Sequence, residues 1–169
     1  MPTLTAIILS TALALGVLVA GAPAPARAAD TPGGGAPARP EDPDYTAALR
    51  AIKAGDFAAA IPLLEGVVQR DATNADAYNN LAYAIRRNGD PARSIALYEK
   101  ALAIDPKHRG AHEYIGEAYL ALDDLAKAKE HLASLDKLCF FPCSEYRDLK
   151  KAVDAYEKSG GKVKPTAHR

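Results

Sequence analysis

Two cysteines are the residues whose type and spacing most directly suggest chemistry. Cys139 and Cys143 are the only cysteines among the 169 residues, and Phe140, Phe141 and Pro142 separate them. Because Pro142 disfavours a helix through the residue before it, we expect the pair to flank a tight turn between two helices, where a disulfide can form. An even cysteine count also favours a bridge in an oxidising compartment. We therefore predict a structural disulfide, with thiol redox chemistry and metal binding as alternatives.

Histidines are the other candidate metal ligands. The Cys-x-x-x-Cys spacing is similar to the copper-binding pair of Sco-type assembly proteins. If Cys139 and Cys143 bind a metal, we therefore expect copper. His131 precedes Cys139 on the same predicted helix by about 12 Å, at about 1.5 Å per residue, which is too far for a shared first shell unless the loop folds back. His108 and His112 are spaced as ligands on one helix face would be. His112, however, occupies a position of the apolar stripe, so we expect it to be packed.

No pattern of an enzyme is present. The segment His112-Glu113-Tyr-Ile-Gly116 resembles a zinc-protease helix, but Gly116 stands where the second histidine ligand is required. There is neither a phosphate-binding loop nor a Gly-x-Ser-x-Gly nucleophile turn. With 21 basic and 21 acidic residues, the chain has zero formal net charge, which argues against nucleic acid as a partner. We predict no enzymatic activity and no cofactor.

A repeat of 34 residues organises the middle of the chain. At that shift Gly55 aligns with Gly89 and with Asp123. Within one repeat the apolar residues have the i, i+3, i+4, i+7 spacing of a helix face; they are Tyr78, Leu81, Ala82 and Ile85. The segment Asn88-Gly-Asp-Pro91 then ends this helix and begins the next one. The sequence thus predicts stacked pairs of helices.

These residues resemble the tetratricopeptide repeat (TPR) family, whose unit is a 34-residue pair of antiparallel helices. The turn Asn88–Pro91 and the ending Ala101-Leu-Ala-Ile-Asp-Pro106 carry the resemblance. It implies an all-α solenoid of three helix-turn-helix units over residues 44–138, divided at about 41–74, 75–108 and 109–138. Residues 139–158 would then form a Cys-flanked turn and a capping helix, which makes about seven helices in all.

Both ends of the chain are expected to lie outside this fold. Residues 1–28 have the apolar run and the small residues before a cleavage point, after Ala28, that are typical of a secretory signal peptide. Residues 29–43 are predicted to be a flexible Pro/Gly-rich tether, and residues 159–169 a disordered basic tail. We therefore expect a periplasmic or secreted protein, which contacts membrane only if its N-terminal segment stays uncleaved.

The TPR resemblance also implies a binding surface, because the first helices of this family line a concave groove. The contact positions carried over to this chain, with one adjacent asparagine, are Asn79, Asn80, Tyr83, Arg86, Arg87, Glu113 and Glu117. Tyr83 would be a flat anchor, the two arginines would bind carboxylates, and the two glutamates would form an acidic counterpart.

We therefore predict a non-catalytic protein–protein interaction module of the bacterial cell envelope, with an unidentified protein or peptide as its partner. One alternative is a copper- or thiol-handling protein that uses Cys139 and Cys143. The other is an envelope component that docks through its convex face and tail.

Overall fold

The computed structural model describes residues 42–162 and 164–165, which form seven α-helices and no β-strand. The helices are α1 (Pro43–Ala54), α2 (Phe57–Arg70), α3 (Ala75–Arg87), α4 (Pro91–Ile104), α5 (Arg109–Ala121), α6 (Leu125–Leu138) and α7 (Ser144–Lys158). The all-α prediction is therefore confirmed. Within these ranges no helix has both the length and the apolar character needed to cross a bilayer. The predicted signal segment, residues 1–28, and residues 29–41 of the predicted tether lie outside the described residues.

The first helix begins inside the segment that the sequence assigned to the tether. Pro43 is the first helical residue, where its missing N–H costs nothing. The Asp42 carboxylate accepts hydrogen bonds from the backbone N–H groups of Asp44, at 2.8 Å, and Tyr45, at 3.3 Å. It also pairs with Arg70 at the end of α2, at 2.9 Å. Asp42 is thus a helix cap with a tertiary partner.

The second helix of each unit begins with the same cap. Asp56, Asp90 and Asp124 each accept a hydrogen bond, at 2.9–3.1 Å, from the backbone N–H three residues later. The preceding turns need a left-handed residue, and Gly55 (φ 78°) and Gly89 (φ 100°) supply it in the first two units. The local 34-residue repeat is therefore a repeat of turns and caps as well as of apolar stripes.

The third unit has Asp123 at the left-handed position, with φ 65°. Its carboxylate accepts a hydrogen bond from the Tyr156 hydroxyl of α7, at 2.8 Å, and pairs with Lys164. The contacts to α7 and Lys164 offset the strain of a non-glycine residue at this φ. The described part of the predicted tail, residues 159–162 and 164–165, therefore includes one residue that contacts the third unit.

The three helix pairs stack so that the first helices form the inner layer. Helix α3 contacts both α1 and α5, whereas no such contact joins α2, α4 and α6 among the described residues. Since the helices approach one another more closely on the side of α1, α3 and α5, that side is concave. One apolar cluster, around Leu64 and Ile85, joins the first two units, and a second, around Ile115 and Leu149, joins the last two to α7.

The capping helix α7 packs against α5 and α6. Helices α5 and α7 approach closely at Gly116, where an added Cβ atom would lie 2.6 Å from Cδ2 of Leu149. Leu149, Val153 and Tyr156 of α7 are buried in this contact. A glycine at residue 116 is therefore what allows α7 to cover α5 this closely.

Candidate functional site

Three aromatic rings form a continuous row that is centred on Tyr83 of the inner layer. Tyr83 of α3 lies between Phe57, at the start of α2, and Tyr114 of α5, with ring centroids 6.0 and 4.9 Å away. All three side chains are half-buried, so part of each remains exposed to solvent. We call Phe57, Tyr83 and Tyr114 the aromatic row. Such a row offers flat apolar area with hydroxyl groups at its edge, which suits a peptide segment.

Arg87 adds a positive charge to the aromatic row. Its guanidinium lies 4.4 Å from the centroid of the Phe57 ring and donates a hydrogen bond to the Tyr83 hydroxyl. The side chain is half-buried. The cation is therefore held against two rings at the edge of the surface, where it can also meet a partner's carboxylate.

Arg86 has a different environment, although it is the next residue. Its guanidinium pairs with the Glu117 carboxylate of α5 at 2.9 Å, and the exposed fractions of the two side chains are 6% and 0%. The same guanidinium lies 5.6 Å from the Tyr83 ring centroid and 5.7 Å from that of Tyr114. Arg86 therefore sits beneath the aromatic row and supports it. The sequence assigned Arg86 to a partner's carboxylate, but a carboxylate of the same chain occupies it.

Glu113 is the most perturbed acid of this surface. It is only 6% exposed, and burial raises its pKa to about 8, with further raising contributions from the carboxylates of Glu117, Asp148 and Glu145. The Arg86 guanidinium lowers the pKa of Glu113, but by less than burial and the three carboxylates raise it. At neutral pH the folded protein therefore holds a proton on Glu113. Burial also raises the pKa of the Tyr114 hydroxyl, to about 12, so this group remains a hydrogen-bond donor.

The two asparagines also face the protein. Asn80 donates a hydrogen bond from its side-chain amide to the Tyr45 hydroxyl of α1, at 2.9 Å. Asn79 is 6% exposed, and its side-chain oxygen has no hydrogen-bond partner among the described residues. Asn80 thus joins the first helices of two units.

The predicted contact residues therefore separate into two groups. Asn80, Tyr83 and Arg87 are half-buried on the inner surface, whereas Asn79, Arg86, Glu113 and Glu117 are buried. Phe57 and Tyr114 were not among the predicted contact residues, although they are members of the row. Tyr114 is aligned with Asn80 by the 34-residue shift, and this equivalence was the signal that could have found it.

The second candidate region of the sequence lies between α6 and α7. Cys139 and Cys143 are joined by a disulfide, with Cα atoms 5.8 Å apart. His131 points elsewhere, since its Nδ1 is 3.0 Å from Nδ1 of His112. Nε2 of His112 is 3.1 Å from the Pro106 carbonyl oxygen, which can only accept a hydrogen bond, so Nε2 donates. The part of the chain that the structure describes contains no group of three or more His, Cys, Asp or Glu residues that could hold a metal ion.

Comparison with known families identifies the repeats. A family model described as tetratricopeptide repeat matches residues 45–109, and a second model with the same description matches residues 86–156. Together the two matches span most of the described residues. No curated protein sequence matches this chain.

Solved structures with the same fold are numerous. The TPR domain of Sgt2 from Aspergillus fumigatus superposes with a TM-score of 0.63 at 18% identity, over 75% of this chain and 85% of that chain. The Yersinia enterocolitica type III secretion chaperone SycD, solved with a peptide of the translocator YopD, gives 0.59 at 18% identity over 69% of this chain and 88% of that chain.

MamA MSR-1 gives a TM-score of 0.54 at 21% identity, over 56% of this chain and 55% of that chain. The present chain thus spans just over half of that MamA chain. At these identities the similarities establish the fold.

Proposed function

We propose that this chain is a protein–protein interaction module, because it belongs to the tetratricopeptide-repeat family. The module would hold a peptide or protein segment against its concave inner layer. The segment would lie across the aromatic row and meet Arg87. One of the similar folds, SycD, was solved in complex with a peptide of another protein, which supports this use of the architecture.

The observation that carries the proposal is the accessible aromatic row at the middle unit. Tyr83 is in ring contact with Phe57 and Tyr114, and all three side chains are only half-buried although Tyr83 lies at the centre of the inner layer. Aromatic rings on a rigid support are typical anchors of binding interfaces, because they bury much apolar area at little cost in side-chain entropy. Arg87 supplies a charged contact beside them. A segment with an aromatic or proline residue next to a carboxylate fits this chemistry best.

We also propose that the protein acts in the cell envelope of a bacterium. The support is the apolar run and small residues of segment 1–28 and a cysteine pair suited to an oxidising compartment. Fractionation of the producing cells should place the protein in the envelope fraction. N-terminal sequencing of that protein should then give Ala29 as its first residue. A cytoplasmic protein that begins at Met1 would contradict the envelope assignment.

The groove assignment is tested with a displayed library of random peptides. Peptides enriched on the wild-type protein should bind the Tyr83→Ala/Arg87→Ala variant at least about tenfold more weakly in fluorescence anisotropy, because both anchors are lost. Arg93→Ala is the control, since Arg93 is a more exposed arginine on α4, in the other layer, where it pairs with Glu65. Equal affinity of the wild type and the folded Tyr83→Ala/Arg87→Ala variant would show that the peptides bind elsewhere.

A further inference from the structure

The turn between α6 and α7 displays two phenylalanines to solvent. Phe140 is 94% exposed and Phe141 is 76% exposed, whereas the other large exposed apolar residues among those described, Leu49 and Leu122, reach only 40% and 41%. The two rings contact each other edge to face, with centroids 4.9 Å apart. Nothing else in the described fold covers them. This apolar area is therefore unused by the folding of the chain itself.

The backbone that carries these rings is held in place. The Cys139–Cys143 disulfide closes the five-residue segment, which we call the disulfide loop. The Arg147 guanidinium of α7 also donates a hydrogen bond to the Pro142 carbonyl oxygen, at 3.0 Å. Since the loop is already ordered, docking of the two rings costs little further chain entropy.

A basic surface adjoins the disulfide loop. The outer face of α7 has a shallow cleft of about 360 Å³, lined by Arg147, Lys150, Lys151, Asp154, Ala155 and Lys158. Four basic side chains and one acidic side chain give this face a formal charge of +3. We call Arg147, Lys150, Lys151 and Lys158 the basic strip.

The remaining carboxylates of α7 lie on its other sides. Glu145 pairs with Arg109, at 3.7 Å, and Glu157 pairs with Lys129, at 2.6 Å. Asp148 acts on the buried Glu113 of α5. The helix thus separates its charges, so that positive charge predominates on the face that Arg147 connects to the disulfide loop.

We propose that the disulfide loop and the basic strip form a docking surface for an anionic phospholipid bilayer. Phe140 and Phe141 would enter the boundary between headgroups and acyl chains, while the basic strip contacts the lipid phosphates. The two rings stand nearly perpendicular, at 89°, on a convex turn. The acyl-chain region of a bilayer can accommodate the two rings without a matching pocket. Anionic headgroups also complement the positive charge of the basic strip. A protein pocket would need both a shaped cavity and an acidic rim.

Vesicle flotation tests this surface on the chain without its predicted signal segment, residues 29–169. The probes are vesicles of phosphatidylcholine alone and vesicles that also contain about 30% phosphatidylglycerol, with binding expected mainly to the anionic ones. Phe140→Ser/Phe141→Ser should weaken that binding at least about tenfold, because the inserted apolar area is lost. Lys151→Gln/Lys158→Gln should weaken it about fivefold per lysine, and high salt should remove this difference.

Two further variants keep the test decisive. Leu49→Ser/Leu122→Ser removes partly exposed apolar residues elsewhere and should leave vesicle binding unchanged. Phe140→Trp introduces the only tryptophan of the chain, so its emission should shift to shorter wavelength with anionic vesicles alone. Circular dichroism of each variant checks the fold.

Three outcomes would overturn the proposal. The first is that the wild type does not float with anionic vesicles, and the second is that the folded double phenylalanine variant floats as well as the wild type. The third is that the wild type does not bind vesicles but co-purifies with a protein that the double phenylalanine variant loses. The last would make the loop a protein-docking element instead.

Discussion

The inner layer treats equivalent positions of the second and third units differently. Tyr83 of α3 is half-buried in the aromatic row, whereas Glu117, which stands 34 residues later on α5, is completely buried. Asn79 and Glu113 are a second such pair, but both of these are buried. The difference between Tyr83 and Glu117 accompanies a difference in packing, because α7 contacts α5 more extensively than α5 contacts α3. A repeat position therefore predicts which way a side chain faces, and the next element in the stack decides whether a partner can reach it.

Breaking the Arg86–Glu117 pair should have the largest effect on this arrangement. Glu117→Gln removes the negative partner of a guanidinium that is only 6% exposed, at a side chain that is itself 0% exposed. An uncompensated buried charge costs about 3–5 kcal/mol, so we expect a fall of that size in the free energy of unfolding. Urea unfolding followed by circular dichroism measures it. The double variant Arg86→Met/Glu117→Leu should recover most of the loss, because it leaves no buried charge.

The matched change on the open side is Arg87→Met. Arg87 is half-buried against Phe57 and Tyr83, so its loss should cost only about 0.5–1 kcal/mol. If Arg87→Met and Glu117→Gln destabilised the protein equally, the contrast between a covered and an open half of the inner layer would be wrong.

The contact between α5 and α7 offers a second test. In Gly116→Ala the new Cβ would lie 2.6 Å from Leu149 Cδ2, so α7 or the Leu149 side chain must move. Overpacking of this kind costs about 1–3 kcal/mol, measurable as a lower urea midpoint. Gly66→Ala is the control, because its Cβ would meet only the flexible end of the Arg70 side chain, at 3.1 Å. That change should be neutral or stabilise α2 by up to about 1 kcal/mol.

The Gly116→Ala variant should also expose more of α5. A partial displacement of α7 would bring water to Glu113 and Glu117, so hydrogen exchange of the α5 amides should accelerate more than that of the α3 amides. Equal acceleration in both helices would mean that α7 does not protect α5 selectively.

Much of the fold could be predicted from the sequence because its signals are local. The aspartate caps, the left-handed turns and the apolar stripes each act within a few residues, and they recur every 34 positions. The inner face of each first helix follows from the same periodicity. The all-α solenoid was therefore predictable without any knowledge of long-range contacts.

The state of the candidate site was less predictable because it depends on neighbours from other units. Arg86 looks like an accessible arginine in the sequence, and only the position of α5 shows that Glu117 meets it. Tyr114 joins the aromatic row only because α3 and α5 are adjacent. The burial of Glu113 likewise depends on α7, a helix outside the repeat pattern. Pairing across the stack is not encoded in any single 34-residue unit.

The pH dependence of stability should sharpen the comparison between the two halves of the inner layer further. The pKa of Glu113 is about 8 in the folded protein, above the ordinary value of 4.5. Between these pH values the folded chain binds a proton that the unfolded chain has released, so raising the pH from about 5 to 9 should lower the free energy of unfolding. The groups that set this pKa come from three helices and are Arg86, Glu117, Glu145 and Asp148. In Glu113→Gln the alkaline decline should shrink, by up to about 1.4 kcal/mol for each unit by which the pKa of Glu113 is raised.

His131 provides the internal control, because its shift has the opposite sign. Burial and the neighbouring His112 lower the pKa of His131 from 6.5 to about 4. Between those values the unfolded chain binds the extra proton, so stability contributed by His131 is present above pH 6.5 and is lost as the pH falls toward 4. His131→Gln should therefore flatten the acid side of the stability profile and leave the alkaline side unchanged, while Glu113→Gln should do the reverse. If Glu113→Gln left the alkaline decline intact, Glu113 would not be a proton-holding group beneath α7, and the covered half of the inner layer would admit more water than its burial indicates.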